Sequence, residues 1–116
     1  MPGWKVSHPV KLKAQLPIAV LTSGQTGSSG EITTISFIGN ARTKSFGQPT
    51  WGLTTGNDSY DMPDGSQMFI ASTHMVDRNG KIYTGPVVPD VVIKTSPDDK
   101  EDVVLKTAME WLKTQP

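Results

Sequence analysis

The sequence predicts a mixed α/β domain with many short strands, and three observations support this prediction. Short apolar runs alternate with turn-forming residues along most of the 116-residue chain. The 11 glycines and 9 prolines are spread without a period, which is typical of turns in a strand-rich domain. Near the C-terminus, apolar residues recur at helical spacing. A chain of this length allows one domain of modest size with a core of its own.

Composition excludes several classes of function. Eleven basic and eleven acidic residues balance, so neither nucleic acid nor an anionic membrane surface is an expected partner. We expect no membrane span and no signal peptide, because no apolar run is long enough for either. The chain has no cysteine, and its two histidines, His8 and His74, do not form a metal-binding spacing. No disulfide and no metal site built on cysteine or histidine is therefore expected.

The N-terminal part of the chain predicts an arm, a strand and a turn. Residues 1–16 mix polar residues with proline and glycine, and we expect an N-terminal arm or a short edge strand there. The unbroken apolar run from Pro17 to Thr22 predicts a strand that is buried on both faces. A turn of small residues, 23–27, follows this strand.

A helix is predicted to begin after this turn. Ser28 and Glu31 fit an S-x-x-E capping box, with Ser28 as the N-cap and Glu31 at the third helical position. Three isoleucines then recur at helical spacing: Ile32, Ile35 and Ile38. Their β-branched side chains also suit a strand. The capping box favours the helix, which Gly39 and Asn40 are expected to end.

The middle of the chain reads as short strands joined by turns. The predicted strands are Thr43–Phe46, Asp58–Met62, Gln67–Val76, Lys81–Thr84 and Val87–Ile93, the last interrupted by Pro89. Turn signals lie at 63–66 and at 77–80, where Asn79-Gly80 is a strong hairpin signal.

A second helix is predicted to begin near Ser96. Ser96 suits an N-cap, Pro97 suits the first helical position, and the carboxylates of Asp98 and Asp99 favour the positive end of the helix dipole. One apolar stripe is expected to face the core: Val103, Val104, Thr107, Ala108, Trp111 and Leu112.

Several motifs occur in one order along the chain. They are T-G-S-S-G-E at 26–31, G-Q-P-T-W-G at 47–52, P-D-G-S at 63–66, D-R-N-G-K at 77–81 and G-P-V-V-P-D at 85–90. Together they resemble the C-terminal processing, or tail-specific, serine peptidases, and the resemblance extends from about Pro17 to Leu112. It implies an α/β fold of the crotonase or Clp-protease-like type, built from β-β-α units.

The resemblance implies roles for three residues. Ser28 corresponds to the nucleophile, the backbone N–H of Ser29 to an oxyanion donor, and Glu31 either to a helix cap or to a supporting carboxylate. The lysine base of the Ser-Lys members corresponds to Leu53, which cannot accept a proton. The chain is therefore most similar to the nisin-resistance-protein-like branch, whose base is a histidine from an N-terminal part of the polypeptide.

The chain also departs from the family in length. It has no upstream glycine-rich strand and no preceding helical or peptide-binding domain. Residues 17–116 are accordingly interpreted as the C-terminal part of the catalytic domain of a larger peptidase. The expected function of that peptidase is cleavage near the C-terminus of a protein or peptide, outside the cytoplasm and without a cofactor. The missing N-terminal part is the expected partner, and the isolated chain is expected to be inactive and to risk pairing with another copy.

Alternative interpretations stay open at this stage. A capping box alone explains Ser28 and Glu31 structurally, and only the wider resemblance favours a nucleophile. His8 and His74 are interpreted as ordinary arm and strand residues rather than as the base. Two aromatic residues, Trp51 and Tyr60, suit either a partial core or a substrate groove. The alternative function is a non-catalytic peptide- or ligand-binding module on the same fold.

Overall fold

The structure is a computed structural model that describes residues 7–11 and 15–116. The arm predicted over residues 1–16 lies largely outside the described residues. Within them the elements are, in order, β1 (Ile18–Thr22), α1 (Ser29–Phe37), β2 (Thr43–Gly47), β3 (Thr55–Asp61), β4 (Gln67–Val76), β5 (Ile82–Tyr83), β6 (Val91–Val92) and α2 (Val103–Lys113). The predicted mixture of short strands and two helices is confirmed.

The first sheet is parallel, with the strand order β1-β2-β6. β1 pairs with β2 from Ile18 opposite Thr43 to Thr22 opposite Gly47. Helix α1 forms the crossover that a parallel pair requires. β6 lies on the other side of β2, with Phe46 opposite Val91. This arrangement places the loop between β1 and α1 at the carboxyl end of β1.

The second sheet is an antiparallel ribbon with the order β3-β4-β5. β3 and β4 form the predicted hairpin, in which Asp61 lies opposite Gln67 and a register shift occurs next to Gly56. The carboxylate of Asp64 closes the hairpin turn by accepting from the backbone and the hydroxyl of Ser66. Almost every residue of β4 is exposed.

The buried apolar residues form two groups. Ile35 of α1 packs with Tyr83 and Val87, and Ile38 and Met75 lie against this cluster. On the first sheet, α2 contacts β1 and β2. There the ring of Phe46 lies 5.6 Å from that of Trp111, and Ala108 is buried. The predicted apolar stripe of α2 is therefore confirmed.

Two predictions of burial were too broad. β1 was expected to be buried on both faces, but Leu21 is 44% exposed. β1 is an edge strand of a three-stranded sheet in the described part of the chain, so its cover is incomplete. On α1, only Ile35 of the three isoleucines is fully buried, and Ile32 is exposed.

The predicted start of the second helix was wrong. α2 begins at Val103, and its N-cap is Asp102, whose carboxylate accepts from the backbone N–H of Leu105 over 2.9 Å. Ser96 instead forms a separate turn with Asp99, whose carboxylate accepts from the Ser96 N–H over 2.7 Å. The carboxylate of Asp99 thus closes a local turn, and a later aspartate caps the helix.

The last predicted strand is also shorter than expected. β6 comprises only Val91–Val92. The backbone of Val87 bonds to Thr50 instead of to a strand, and Pro89 has no N–H to donate to a ladder. No helix in residues 7–11 and 15–116 has the length and apolar character needed to cross a membrane.

Candidate functional site

The loop between β1 and α1 holds Ser28 in an unusual backbone conformation. Its φ is 51° and its ψ is −112°, a combination that residues with a side chain rarely adopt and that costs about 1–3 kcal/mol. Ser28 is exposed and directly precedes Ser29, the first residue of α1. Backbone strain of this kind clusters at active sites, where the surrounding structure maintains it. Ser28 is therefore a candidate functional residue on geometric grounds as well.

The hydroxyl of Ser28 does not cap α1. Its side chain makes no capping hydrogen bond, and the N–H groups of Glu31 and Ile32 donate to the carbonyl oxygen of Ser28, over 2.9 and 3.1 Å. The carboxylate part of the capping box is made, since the N–H of Ser28 donates to Glu31 over 2.8 Å. The predicted positions of both residues in the helix start are confirmed.

Glu31 is a fully buried carboxylate, with 0% of its surface exposed. Besides Ser28, it accepts from the hydroxyl of Thr50 and from the backbone N–H of Gly52, both over 2.6 Å. Burial raises its pKa, but the hydrogen bonds from Thr50, Gly52, Ser28 and Leu53 outweigh burial, and the net pKa is lowered. A carboxylate that is ionised and occupied by several donors holds structure in place rather than transferring protons.

The loop that faces Glu31 contains the G-Q-P-T-W-G motif. Thr50 exchanges two hydrogen bonds with Val87: its N–H donates to the Val87 carbonyl over 3.0 Å, and its hydroxyl accepts from the Val87 N–H over 2.8 Å. Gly52 has a φ of +105°, and a Cβ there would lie 2.9 Å from Cδ of Pro86. The motif therefore needs a hydroxyl at position 50 and no side chain at position 52.

The Ser28 loop is also tied to this motif by its own backbone. The N–H of Trp51 donates to the carbonyl of Thr26 over 2.8 Å. Within residues 7–11 and 15–116, the N–H of Ser29 has no acceptor, as expected for the first turn of a helix. A negative charge that develops near Ser28 would find this donor and the positive end of the helix dipole.

Position 53 lies beside the serine loop. A Cβ on Gly27 would lie 3.7 Å from Cδ1 of Leu53 and 3.6 Å from Cβ of Trp51. Leu53 is 51% exposed. Leu53 thus lies against Gly27, the residue before Ser28, and a leucine side chain cannot act as a base.

Neither histidine approaches the serine through a hydrogen bond in the described residues. His8 is exposed and lies 3.2 Å from the hydroxyl of Ser7. His74 is exposed on β4, opposite Thr55. The interpretation of His8 as an exposed arm residue and of His74 as a strand residue agrees with these positions.

The aromatic candidates are not core residues. Trp51 and Tyr60 are both exposed, so the interpretation as partial core is wrong for them. Trp51 lies next to the serine loop, whereas Tyr60 lies on the hairpin, opposite Met68. Among the described residues, no group of three or more histidine and acidic side chains could hold a metal ion.

Sequence reasoning missed two polar links. The carboxylate of Asp90 accepts from the N–H and the hydroxyl of Ser45, both over 2.8 Å, and so joins the G-P-V-V-P-D motif to β2. Thr50 links the same motif to Glu31. The threonine of the second motif was a usable signal, but its two partners lie 19 and 37 residues away in the sequence.

Comparisons with known proteins give one consistent result. The model of peptidase family S41 matches residues 5–93. The nisin-resistance protein of Lactococcus lactis subsp. lactis is 36% identical over 112 residues, which are 96% of this chain and 32% of that protein. The chain therefore spans about a third of the length of this relative.

Solved structures agree with the sequence comparison. A lipoprotein from Streptococcus agalactiae superposes with a TM-score of 0.72 at 36% identity, over 86% of this chain and 32% of that protein. Mature CPAF superposes with a TM-score of 0.57 at 21% identity, over 84% of this chain and 19% of that protein. The second likeness concerns the fold alone.

Proposed function

The chain belongs to peptidase family S41, and from this premise we propose that it carries the nucleophile of a serine endopeptidase of the tail-specific processing class. The parent protein, the longer polypeptide of which this chain would be the C-terminal part, would hydrolyse peptide bonds near the C-termini of proteins or peptides. One observation carries the proposal: Ser28 is exposed in a strained turn at a helix start, and its hydroxyl is not used for capping.

In the proposed reaction, the hydroxyl oxygen of Ser28 attacks the scissile carbonyl carbon. A base must remove the hydroxyl proton, because serine is a weak nucleophile at its ordinary pKa. We assign that role to a histidine in the N-terminal part of the parent. The same group then gives the proton to the leaving amine, and water hydrolyses the acyl-enzyme.

The oxyanion of the tetrahedral intermediate would receive the N–H of Ser29. This donor lacks an acceptor in the described part of the chain, and it lies at the positive end of α1. Each oxyanion donor contributes about 2.7–4 kcal/mol to lowering the barrier. A second donor would come from the N-terminal part of the parent. Without that donor and the base, the isolated chain is expected to have negligible activity.

Glu31 would support the site without contacting substrate. It is buried and ionised, and it holds the backbone of Ser28 by accepting a hydrogen bond from the Ser28 N–H. The proposal thus combines the two interpretations of Glu31. Its carboxylate caps the helix and also stabilises the strained backbone of Ser28.

The surroundings of the parent are part of the proposal. Similarity to a nisin-resistance protein and to a lipoprotein supports an extracytoplasmic or membrane-anchored parent. The S41 match and the likeness to CPAF support a crotonase or Clp-protease-like core that the N-terminal part completes. An extended peptide would bind along a strand edge, where main-chain pairing holds variable sequences.

The test is labelling of the parent protein with a fluorophosphonate probe, followed by mass spectrometry of the modified peptide. The proposal predicts modification of Ser28 and loss of labelling in Ser28→Ala. Ser29→Ala is the matched control, because only the backbone of Ser29 is assigned a role, and it should be labelled like the wild type. A folded wild-type parent that stays unlabelled would refute catalysis by Ser28.

A non-catalytic binding module is the second candidate, and two observations favour it. Position 53 holds leucine, and no histidine hydrogen-bonds to Ser28 in the described residues. A binding module would take up a peptide with equal affinity in the wild-type parent and in Ser28→Ala, and would release no products. Calorimetry combined with chromatography of the peptide distinguishes this outcome from hydrolysis.

A further inference from the structure

Thr50 lies at the centre of the links that hold the serine loop. Its side chain is almost fully buried, with 4% of the residue exposed. The hydroxyl donates to Oε1 of Glu31 over 2.6 Å and accepts from the N–H of Val87 over 2.8 Å. Thr50 makes no hydrogen bond to Ser28 in the described part of the chain, and its hydroxyl is linked to the serine through Glu31.

The two oxygens of Glu31 divide this work. Oε1 receives Thr50 and Gly52, which belong to the loop after β2. Oε2 receives the N–H of Ser28. A carboxylate is planar, so holding one oxygen together with the buried carbon stem of Glu31 fixes the position of the other oxygen. The hydrogen bonds from Thr50 and Gly52 to Oε1 consequently set the orientation of Oε2, which accepts from the N–H of Ser28.

We infer that Thr50 is a positioning residue for the proposed peptidase reaction: it fixes the Glu31 carboxylate, which in turn holds Ser28 in its strained conformation. This inference rests on the proposed function for its kinetic consequence. Its structural consequence, a less firmly held Ser28, does not depend on catalysis.

A hydroxyl is required at position 50 because it must donate and accept at once. The backbone of Thr50 also pairs with the Val87 carbonyl, which keeps the residue in place when its side chain is changed. Valine has the same shape but neither donates nor accepts, and serine does both without the methyl group. Thr50→Val and Thr50→Ser therefore separate the hydrogen bonds from the packing.

Thr54 provides a matched control. It is also a buried threonine, with 0% of its surface exposed, and its hydroxyl donates to the carbonyls of Tyr83 and Gly85. It makes no contact with Glu31 through a hydrogen bond in the described residues. Thr54→Val also removes a buried hydroxyl with two hydrogen-bond partners, but it leaves the hydrogen bonds of Glu31 in place.

The experiment uses the parent protein and compares the wild type, Thr50→Val, Thr50→Ser and Thr54→Val at a temperature where all are folded. Three readouts are measured: amide hydrogen exchange at Ser28, the rate of fluorophosphonate labelling, and kcat and KM for a peptide. Misplacement of a reacting group by about 1 Å costs on the order of 10²-fold in rate. Thr50→Val should therefore lose on the order of 10²-fold in kcat and labelling rate, with KM little changed, and its Ser28 amide should exchange faster. Thr50→Ser should stay within several-fold of the wild type.

The outcomes separate the two proposals. Faster exchange at Ser28 in Thr50→Val but not in Thr54→Val supports the positioning role, even if the wild type proves unlabelled and the proposed peptidase function fails. Equal exchange at Ser28 in these two variants overturns the inference. A loss of kcat that is the same in Thr54→Val as in Thr50→Val also overturns it, because the effect would then be a general loss of buried hydrogen bonding.

Discussion

The backbone nitrogen of Ser28 lies 2.8 Å from Oε2 of Glu31, a carboxylate with no exposed surface. The helix is therefore capped from its third position, and the side chain of its N-cap residue takes no part. This division lets one short turn satisfy the helix start and still present a hydroxyl at the surface. Capping and exposure of a free hydroxyl, which compete when the serine hydroxyl itself is the cap, are separated here.

The strain at Ser28 predicts that glycine is more stable there than serine. Ser28→Gly removes the side chain from a conformation at φ 51°, and relief of such strain is worth about 1 kcal/mol or more. We expect a rise of about 1 kcal/mol in the free energy of unfolding, measured by urea denaturation, together with loss of labelling in the parent.

Ser36 is the control for that substitution. It is exposed and helical in α1, so Ser36→Gly has the entropic cost of glycine without any relief of strain. It should lose about 0.5–1 kcal/mol. Equal destabilisation by Ser28→Gly and Ser36→Gly would contradict the presence of backbone strain at Ser28.

Replacing Glu31 by glutamine should destabilise the chain strongly. The amide group presents donors to at least one of the groups that now donate to Glu31, namely Ser28, Thr50 and Gly52. An unsatisfied buried donor costs about 1–3 kcal/mol. We expect a loss in this range in urea denaturation at neutral pH, whereas Glu110→Gln, on an exposed helix position, should have little effect.

The lowered pKa of Glu31 predicts how stability depends on acid. Its unfolded value is near 4.5, and the folded value is lower, so the stabilisation is complete above pH 4.5 and is lost as the pH falls through the folded pKa. The wild type should lose more stability than Glu31→Gln between neutral pH and the acid region. Part of the acid loss should persist in that variant, because the pKa of Asp77 is also lowered by donors from Lys81, Tyr83 and Asn79 that outweigh its burial. Parallel acid profiles for the two proteins would contradict the assignment to Glu31.

The raised pKa of Tyr83 predicts that the stability of the chain also changes at alkaline pH. Burial, together with its hydrogen bond to Asp77 over 2.9 Å, raises its pKa from 10.0 to about 12. The contribution of the phenol is therefore complete below pH 10 and is lost as the pH rises towards 12. The difference in stability between the wild type and Tyr83→Phe, measured by urea denaturation, should shrink across this interval. A difference that stays constant would show that Tyr83 titrates normally.

Gly47 predicts a steric requirement in addition to a conformational one. Its φ is +128°, and a Cβ would lie 2.0 Å from the carbonyl oxygen of Thr22 on the neighbouring strand. Gly47→Ala should unfold the chain or cost several times more than Gly65→Ala, whose φ is +85° but whose surroundings are open. Thermal denaturation of both variants tests this, and equal costs would place the whole effect in backbone strain, about 1–3 kcal/mol.

Local patterns predicted most of the elements correctly. The helix start at Ser28, the hairpin turn at Asp64 and the stripe around Trp111 depend on residues that are close together in the sequence, and local preference and tertiary structure agree there. The predicted start of α2 was wrong because two residues that suit an N-cap, Ser96 and Asp102, lie in the same segment. Residue preferences alone do not show that Ser96 forms a separate turn with Asp99 and that Asp102 caps the helix.

What the sequence by itself determined is the identity of the chemical groups and their order: a serine at a helix start, a glutamate three positions later, and a leucine at position 53. What only the tertiary structure decided is which groups meet. Glu31 receives Thr50 and Gly52 because β2 lies beside β1 and returns the chain to the same end of the sheet. Such contacts depend on the closure of a long loop around a shared core, and no local spacing encodes that closure.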